Sequence, residues 1–93
     1  MENYLIDRLS VFFPAYNEEK NIKNTVEKAI KVLNKVAQVW EIIIVNDGSN
    51  DKTGEIADEL SQKDKRIRVI HHKPNRGYGA ALKSGFYNSK YPW

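Results

Sequence analysis

The stretch WEIIIVNDGSND, Trp40 to Asp51, sets four consecutive branched apolar residues, Ile42 to Val45, against an abrupt polar turn. An apolar run without alternation is the pattern of a strand covered on both faces, which is the habit of central strands in parallel sheets. DGSND then reads as a turn in which Gly48 can take the positive φ that a sharp reversal needs. Ser49, Asn50 and Asp51 are each candidate caps for a following helix, about Lys52 to Gln62, whose inner stripe is Ile56, Ala57 and Leu60.

Upstream, Leu9 to Phe13 reads as a short apolar strand ended by Pro14, which cannot donate to a ladder. Asn17 is the expected N-cap of a helix running to about Val36, with Glu18 and Glu19 in its first turn, where the helix dipole favours negative charge. Downstream, Ile67 to His71 is a third strand, KPNRGYG a loop and Ala80 to Ser89 a third helix. Strand and helix alternating three times with short connections predicts an α/β fold, a parallel sheet between two helical layers with right-handed crossovers. The doubly wound strand order would be 3-2-1.

Composition bounds the function. The 93 residues make one small domain or part of one, and 41% hydrophobic with 29% charged residues is an ordinary globular balance. Without cysteine there is no disulfide framework and no thiolate metal site. The net charge of +3 would permit contact with nucleic acid or anionic membrane. However, Lys20, Lys23, Lys28, Lys31 and Lys35 all fall on the first predicted helix, whose apolar stripe is Ile22, Val26, Ala29, Ile30, Leu33 and Val36, so they read as its solvated face. The acidic start MENYLID lacks a signal-peptide core and no apolar run approaches membrane length, so a soluble, cytoplasmic chain is expected.

PAYNE, NDGSND and NRGYG each follow a strand, which places all three at the carboxyl edge of the sheet, where open α/β folds bind ligands. Asp47 has two readings: an acceptor for a ribose diol or base N–H, or a turn-forming Asp-Gly that caps its own backbone. Tyr16 offers a ring to cover a flat base, and Glu18 a carboxylate for a base edge or for the helix start. Gly77, Gly79 and Ala80 open a helix whose backbone N–H groups can cradle a diphosphate, with Arg76 adding charge. The glycines follow the third strand, not the first, which argues against a dinucleotide fingerprint. His71 and His72 are adjacent on a strand, point to opposite faces and cannot readily share a metal.

SVFFPAYNEEKNI, WEIIIVNDGSNDKT and RVIHHKPNRGYGAALKSGF together resemble the opening of the family 2 glycosyltransferases, inverting enzymes with the GT-A nucleotide-sugar fold. Within that family the resemblance is to the branch that makes polyprenyl-phosphate sugars, of the dolichyl-phosphate mannosyl- and glucosyltransferase type. It implies that Pro14, Tyr16, Glu18, Val45 and Asp47 line a nucleotide pocket, with Gly77 and Arg76 near the diphosphate. It also implies Mg²⁺ or Mn²⁺ on the sugar diphosphate, held by an Asp-x-Asp pair after a fourth strand; this sequence contains no such motif.

The chain is therefore read as the amino-terminal, nucleotide-binding part of a longer catalytic domain, inactive in sugar transfer by itself. The implied whole enzyme moves a sugar from a UDP- or GDP-sugar to a polyprenyl phosphate at the cytoplasmic membrane face. A transferase building a polysaccharide or glycan is the alternative acceptor class, and a non-catalytic nucleotide-binding module the alternative for this chain. Nucleic acid is not an expected partner. Leu9 to Phe13 would form an open sheet edge, inviting a homodimer, and Leu82, Phe86, Tyr91 and Trp93 of the last helix and tail would lack a packing surface.

Overall fold

The computed structural model describes residues 5–73 and 75–91, so Pro74, Trp93 and most of the MENYLID start lie outside the described residues. The elements follow in the expected order: β1 (Ile6–Ala15), α1 (Ile22–Val36), β2 (Ala37–Asp47), α2 (Thr53–Lys63), β3 (Ile67–His72) and α3 (Tyr78–Asn88). The sheet is parallel with β2 central and β1 and β3 on either side. Ile42, Ile43, Ile44 and Val45 are fully buried, as a strand covered on both faces requires.

Strand register assigns the faces. Ser10 pairs with Glu41, Phe12 with Ile43, Pro14 with Val45 and Asp47 with His72, so these side chains share one face. There Ile43, Val45 and Ala81 form a small core with Phe12 and Ile70, and α3 packs on it. The opposite face carries the larger core, in which Trp40, Ile42, Ile44 and Ile67 meet Ile22, Val26 and Leu33 of α1 and Ala57 and Leu60 of α2. The result is three layers, α1 and α2, the sheet, then α3.

Several boundaries shift by a few residues from expectation, two of them for identifiable physical reasons. β1 continues through Pro14 to Ala15, because an edge strand uses only half of its N–H groups on its single neighbour and tolerates a proline at the other positions. α1 begins at Ile22 with Asn21 as N-cap and no acidic residue in its first turn. Asn17 instead takes φ 53°, a left-handed conformation open to asparagine. Its carboxamide is used elsewhere.

α3 seats closely. A Cβ on Gly85 would lie 2.2 Å from the Phe12 ring, so only glycine lets the helix reach the sheet there. Its outer face carries Phe86, 45% exposed, and Tyr87, 79% exposed, in edge-to-face contact at 5.5 Å. Leu82 and Tyr91 are half-buried.

Candidate functional site

All three strand-to-helix loops meet at the carboxyl edge of the sheet. The first is bound to the second by backbone donors and side-chain acceptors. Asn17 N–H donates to Ser49 Oγ (3.0 Å), Glu18 N–H to Thr53 Oγ1 (2.7 Å) and Glu19 N–H to Asp51 Oδ2 (3.2 Å), while Asn50 N–H donates to Asn17 Oδ1 (2.8 Å). The cap position of α2 falls to Lys52, not to any of the three candidates, but Asp51 accepts the N–H of Thr53, the first residue of the helix, at 2.9 Å. Burial raises the Asp51 pKa, but hydrogen bonds from the Thr53 hydroxyl and amide and the Glu19 amide outweigh it, and the net shift is downward. Asn17, Ser49, Asp51 and Thr53 thus hold two loops in one fixed pose.

Asp47 joins the second loop to the third. It ends β2 and is 3% exposed. Its Oδ1 accepts from the Arg76 N–H (2.8 Å) and lies 3.1 Å from His72 Nδ1, and its Oδ2 accepts from the Gly77 N–H (3.0 Å). Asn75 completes the junction, donating to the Asp47 carbonyl at 2.9 Å and accepting from Gly77 N–H at 2.8 Å. Gly48 has φ 69°, and a Cβ there would lie 2.5 Å from the Asn75 backbone nitrogen, so the turn and the third loop touch through glycine alone. Burial pushes the Asp47 pKa up, but the Arg76 amide, the His72 side chain and the Gly77 amide together bring it below the ordinary value, so the group is a carboxylate at neutral pH. A carboxylate has about four acceptor sites. Three are filled, leaving one on Oδ2.

A cleft of about 340 Å³ opens here, lined by Pro14, Tyr16, Glu18, Asp47, Asn75 and Gly77. Tyr16 is 47% exposed, which leaves its ring available to cover a flat ligand. A neighbouring cleft of about 250 Å³ runs along Phe13, Pro14, Ala15, Ile22 and Thr25 and shares Glu18. Of the residues expected to form a site, Pro14, Tyr16, Glu18, Asp47 and Gly77 are brought together on one cavity. Val45 is fully buried with Ile43 and Ala81 and does not line it. The exposed Arg76 side chain is not part of the lining, and the Arg76 and Gly77 amides are turned onto Asp47.

Asn75, His72 and Ser84 were not legible as site residues. Asn75 had only its place in NRGYG to mark it. The histidines do face opposite ways: His71 Nδ1 meets Asn46 Nδ2 (3.0 Å) and its Nε2 meets Asp58 (2.9 Å), while the buried His72 bridges Asp47 and Ser84. Among the described residues no three His, Cys, Asp or Glu side chains converge in a way that could hold a metal ion.

Residues 10–93 match the model of "Glycosyl transferase family 2". The chain belongs to that family. It is 42% identical over 80 residues to glycosyltransferase AglD of Haloferax volcanii, covering 84% of this chain and 13% of that protein. It is 38% identical over 90 residues to the human dolichyl-phosphate beta-glucosyltransferase, covering 89% of this chain and 28% of that protein. The chain thus spans less than a third of the length of either curated relative. Among solved structures it superposes on the mannosyltransferase PcManGT of Pyrobaculum calidifontis, determined with GDP-Man and Mn²⁺, with a TM-score of 0.75 and 19% identity over 90% of this chain and 25% of that one. That likeness supports the expected nucleotide-sugar transferase fold.

Proposed function

We propose that this chain is the nucleotide-binding part of a glycosyltransferase that moves a sugar, with inversion, from a UDP- or GDP-sugar to a polyprenyl phosphate at the cytoplasmic face of a membrane. The observation that carries the proposal is the cleft where the three loops meet, with one Asp47 acceptor site left for a ligand and Tyr16 beside it. A nucleoside offers matching chemistry: a flat base for the tyrosine ring, and base N–H or ribose hydroxyl donors for the two carboxylates. The dolichyl-phosphate relative supports the lipid-linked acceptor. A phosphate acceptor is already ionised, so the catalytic demand falls on positioning more than on a general base. No described helix is long and apolar enough to cross a membrane.

A divalent cation, Mg²⁺ or Mn²⁺, belongs to the proposal for the whole protein. The described residues do not converge on a ligand set for it, which favours a second reading for this chain by itself, a nucleotide-binding module without transfer activity. The outer edge of β1 has no strand partner among the described residues, and this supports association of two copies through it.

Calorimetric titration with UDP and GDP tests the reading. Saturable, base-selective heat is expected, and Asp47→Asn should weaken it by about 1.5 to 3 kcal/mol, the range for a hydrogen bond to a charged group. Absence of binding to both nucleotides, or equal binding by Asp47→Asn, would refute it.

A further inference from the structure

The side chain of His72 is buried, reaching from β3 to Asp47 on β2 and to Ser84 on α3. A carboxylate can only accept, so the ring donates through Nδ1–H to Asp47 Oδ1 at 3.1 Å. In the neutral ring Nε2 is then an acceptor, and the Ser84 hydroxyl donates to it at 2.6 Å. The neighbouring ring is wired the other way. Asn46 accepts from the Ser49 N–H through Oδ1, which turns its Nδ2 donor onto His71 Nδ1, and His71 Nε2–H donates to Asp58. Two adjacent histidines are thus set in opposite tautomers by their partners.

The Ser84–His72–Asp47 line does not open onto the cleft, yet it ends on the carboxylate that lines it. It fixes Oδ1, the oxygen that also takes the Arg76 amide, while Oδ2 takes the Gly77 amide and keeps one acceptor site open. Because Ser84 lies on α3, the same line ties the helix to the loop that precedes it. We propose that His72, oriented by Ser84, is a positioning residue for the nucleotide cleft, holding the Asp47 carboxylate so that the third loop stays latched and the free acceptor site on Oδ2 stays aimed into the cavity. The mechanical part of this inference stands on the hydrogen bonds alone, and its effect on nucleotide rests on the function proposed above.

Two readouts separate those parts. Imidazole ¹⁵N–¹H spectra of the labelled chain at mildly alkaline pH, assigned with His71→Gln, should show His72 as the Nδ1–H tautomer and His71 as Nε2–H. His72 as Nε2–H would overturn the proposal whether or not nucleotide binds. In the second readout, His72→Leu removes the donor and His72→Asn retains an N–H near the Nδ1 position. The Arg76 and Gly77 amide resonances should move in His72→Leu and return toward wild type in His72→Asn. UDP or GDP affinity should fall about tenfold in the leucine variant and recover to within about threefold in the asparagine variant, as loss and restoration of one hydrogen bond to a charged acceptor predict. If His72→Leu does not fold, Ser84→Ala provides the amide and affinity comparison, with a smaller loss in the same direction. Unchanged amides and affinity in a folded variant would refute the positioning role. The expected tautomer and amide shifts in a chain that binds neither nucleotide would refute the proposed function and leave the latch standing.

Discussion

Replacing Gly85 by alanine pits two opposed effects against each other. Alanine in a helix interior is favoured over glycine by about 0.5 to 1 kcal/mol. Against this, the added Cβ would sit 2.2 Å from Phe12 Cδ2, 2.5 Å from Cγ and 2.9 Å from Cβ, where ordinary carbon contacts lie at about 3.5 to 4.0 Å. Phe12 cannot simply swing its ring away, because its own Cβ is among the clashing atoms, so α3 must lift or the ring must leave its seat against Ile43 and Val45. Overpacking of this kind costs about 1 to 3 kcal/mol, so the expected net destabilisation is centred on about 1 kcal/mol and reaches at most about 2.5 kcal/mol. At about 4 to 8 °C per kcal/mol for a chain of this size, the melting temperature should drop measurably. Urea unfolding followed by Trp40 fluorescence measures it, since that indole is 3% exposed and senses the larger core. In a Phe12→Ala background Gly85→Ala should become neutral or stabilising, giving a coupling of about 1 to 3 kcal/mol between the two sites. Gly79→Ala is the control, as nothing lies within 4 Å of its added Cβ. Stabilisation by Gly85→Ala in the wild-type background would refute the close seating of α3.

Two further outcomes are expected. Burial raises the Glu41 pKa, but the Ser10 hydroxyl, the Lys90 amide and Arg68 lower it to a net shift below the ordinary 4.5, so its stabilisation is full above that value and is lost as pH falls through the lower folded pKa. Glu41→Gln should therefore cost about 1 to 2 kcal/mol at pH 7, discounted because the Arg68 side chain is 35% exposed, and the gap to wild type should narrow in urea titrations as the pH is taken below the ordinary 4.5; a constant gap would contradict the ionised cluster. Sedimentation over a concentration series should reveal a dimer if the β1 edge recruits a second copy, and a monomer throughout would exclude that association.

Much of the architecture was written locally. Ile42 to Val45 has no polar alternation, so both its faces had to be covered, and alternating elements with short connections left a parallel sheet as the arrangement that covers them. From that, PAYNE, NDGSND and NRGYG had to share one edge. The family motifs then pointed to five residues that the fold does gather on one cleft. Other assignments failed because they depended on partners distant in sequence. Asn17 has the chemistry of a helix cap, but the second loop offered it the Asn50 amide and the Ser49 hydroxyl, and α1 started four residues later than that cap would have set it. Val45 ends the buried run, and although it shares a sheet face with Pro14 and Asp47, packing with Ala81 of α3 covers it and keeps it out of the cavity.

The sequence by itself determined the order of elements, the central strand and the edge at which a ligand would bind, because hydrophobic period, proline and turn glycine act over a few residues. Only the tertiary structure decided what Asp47 faces. Its partners Asn75, Arg76 and Gly77 are 28 to 30 positions away, and Ser84 reaches it only through His72. A buried carboxylate must find donors wherever the packed chain presents them. Which amides and which ring nitrogen those are depends on how β3 and α3 close against β2, and no local pattern encodes that.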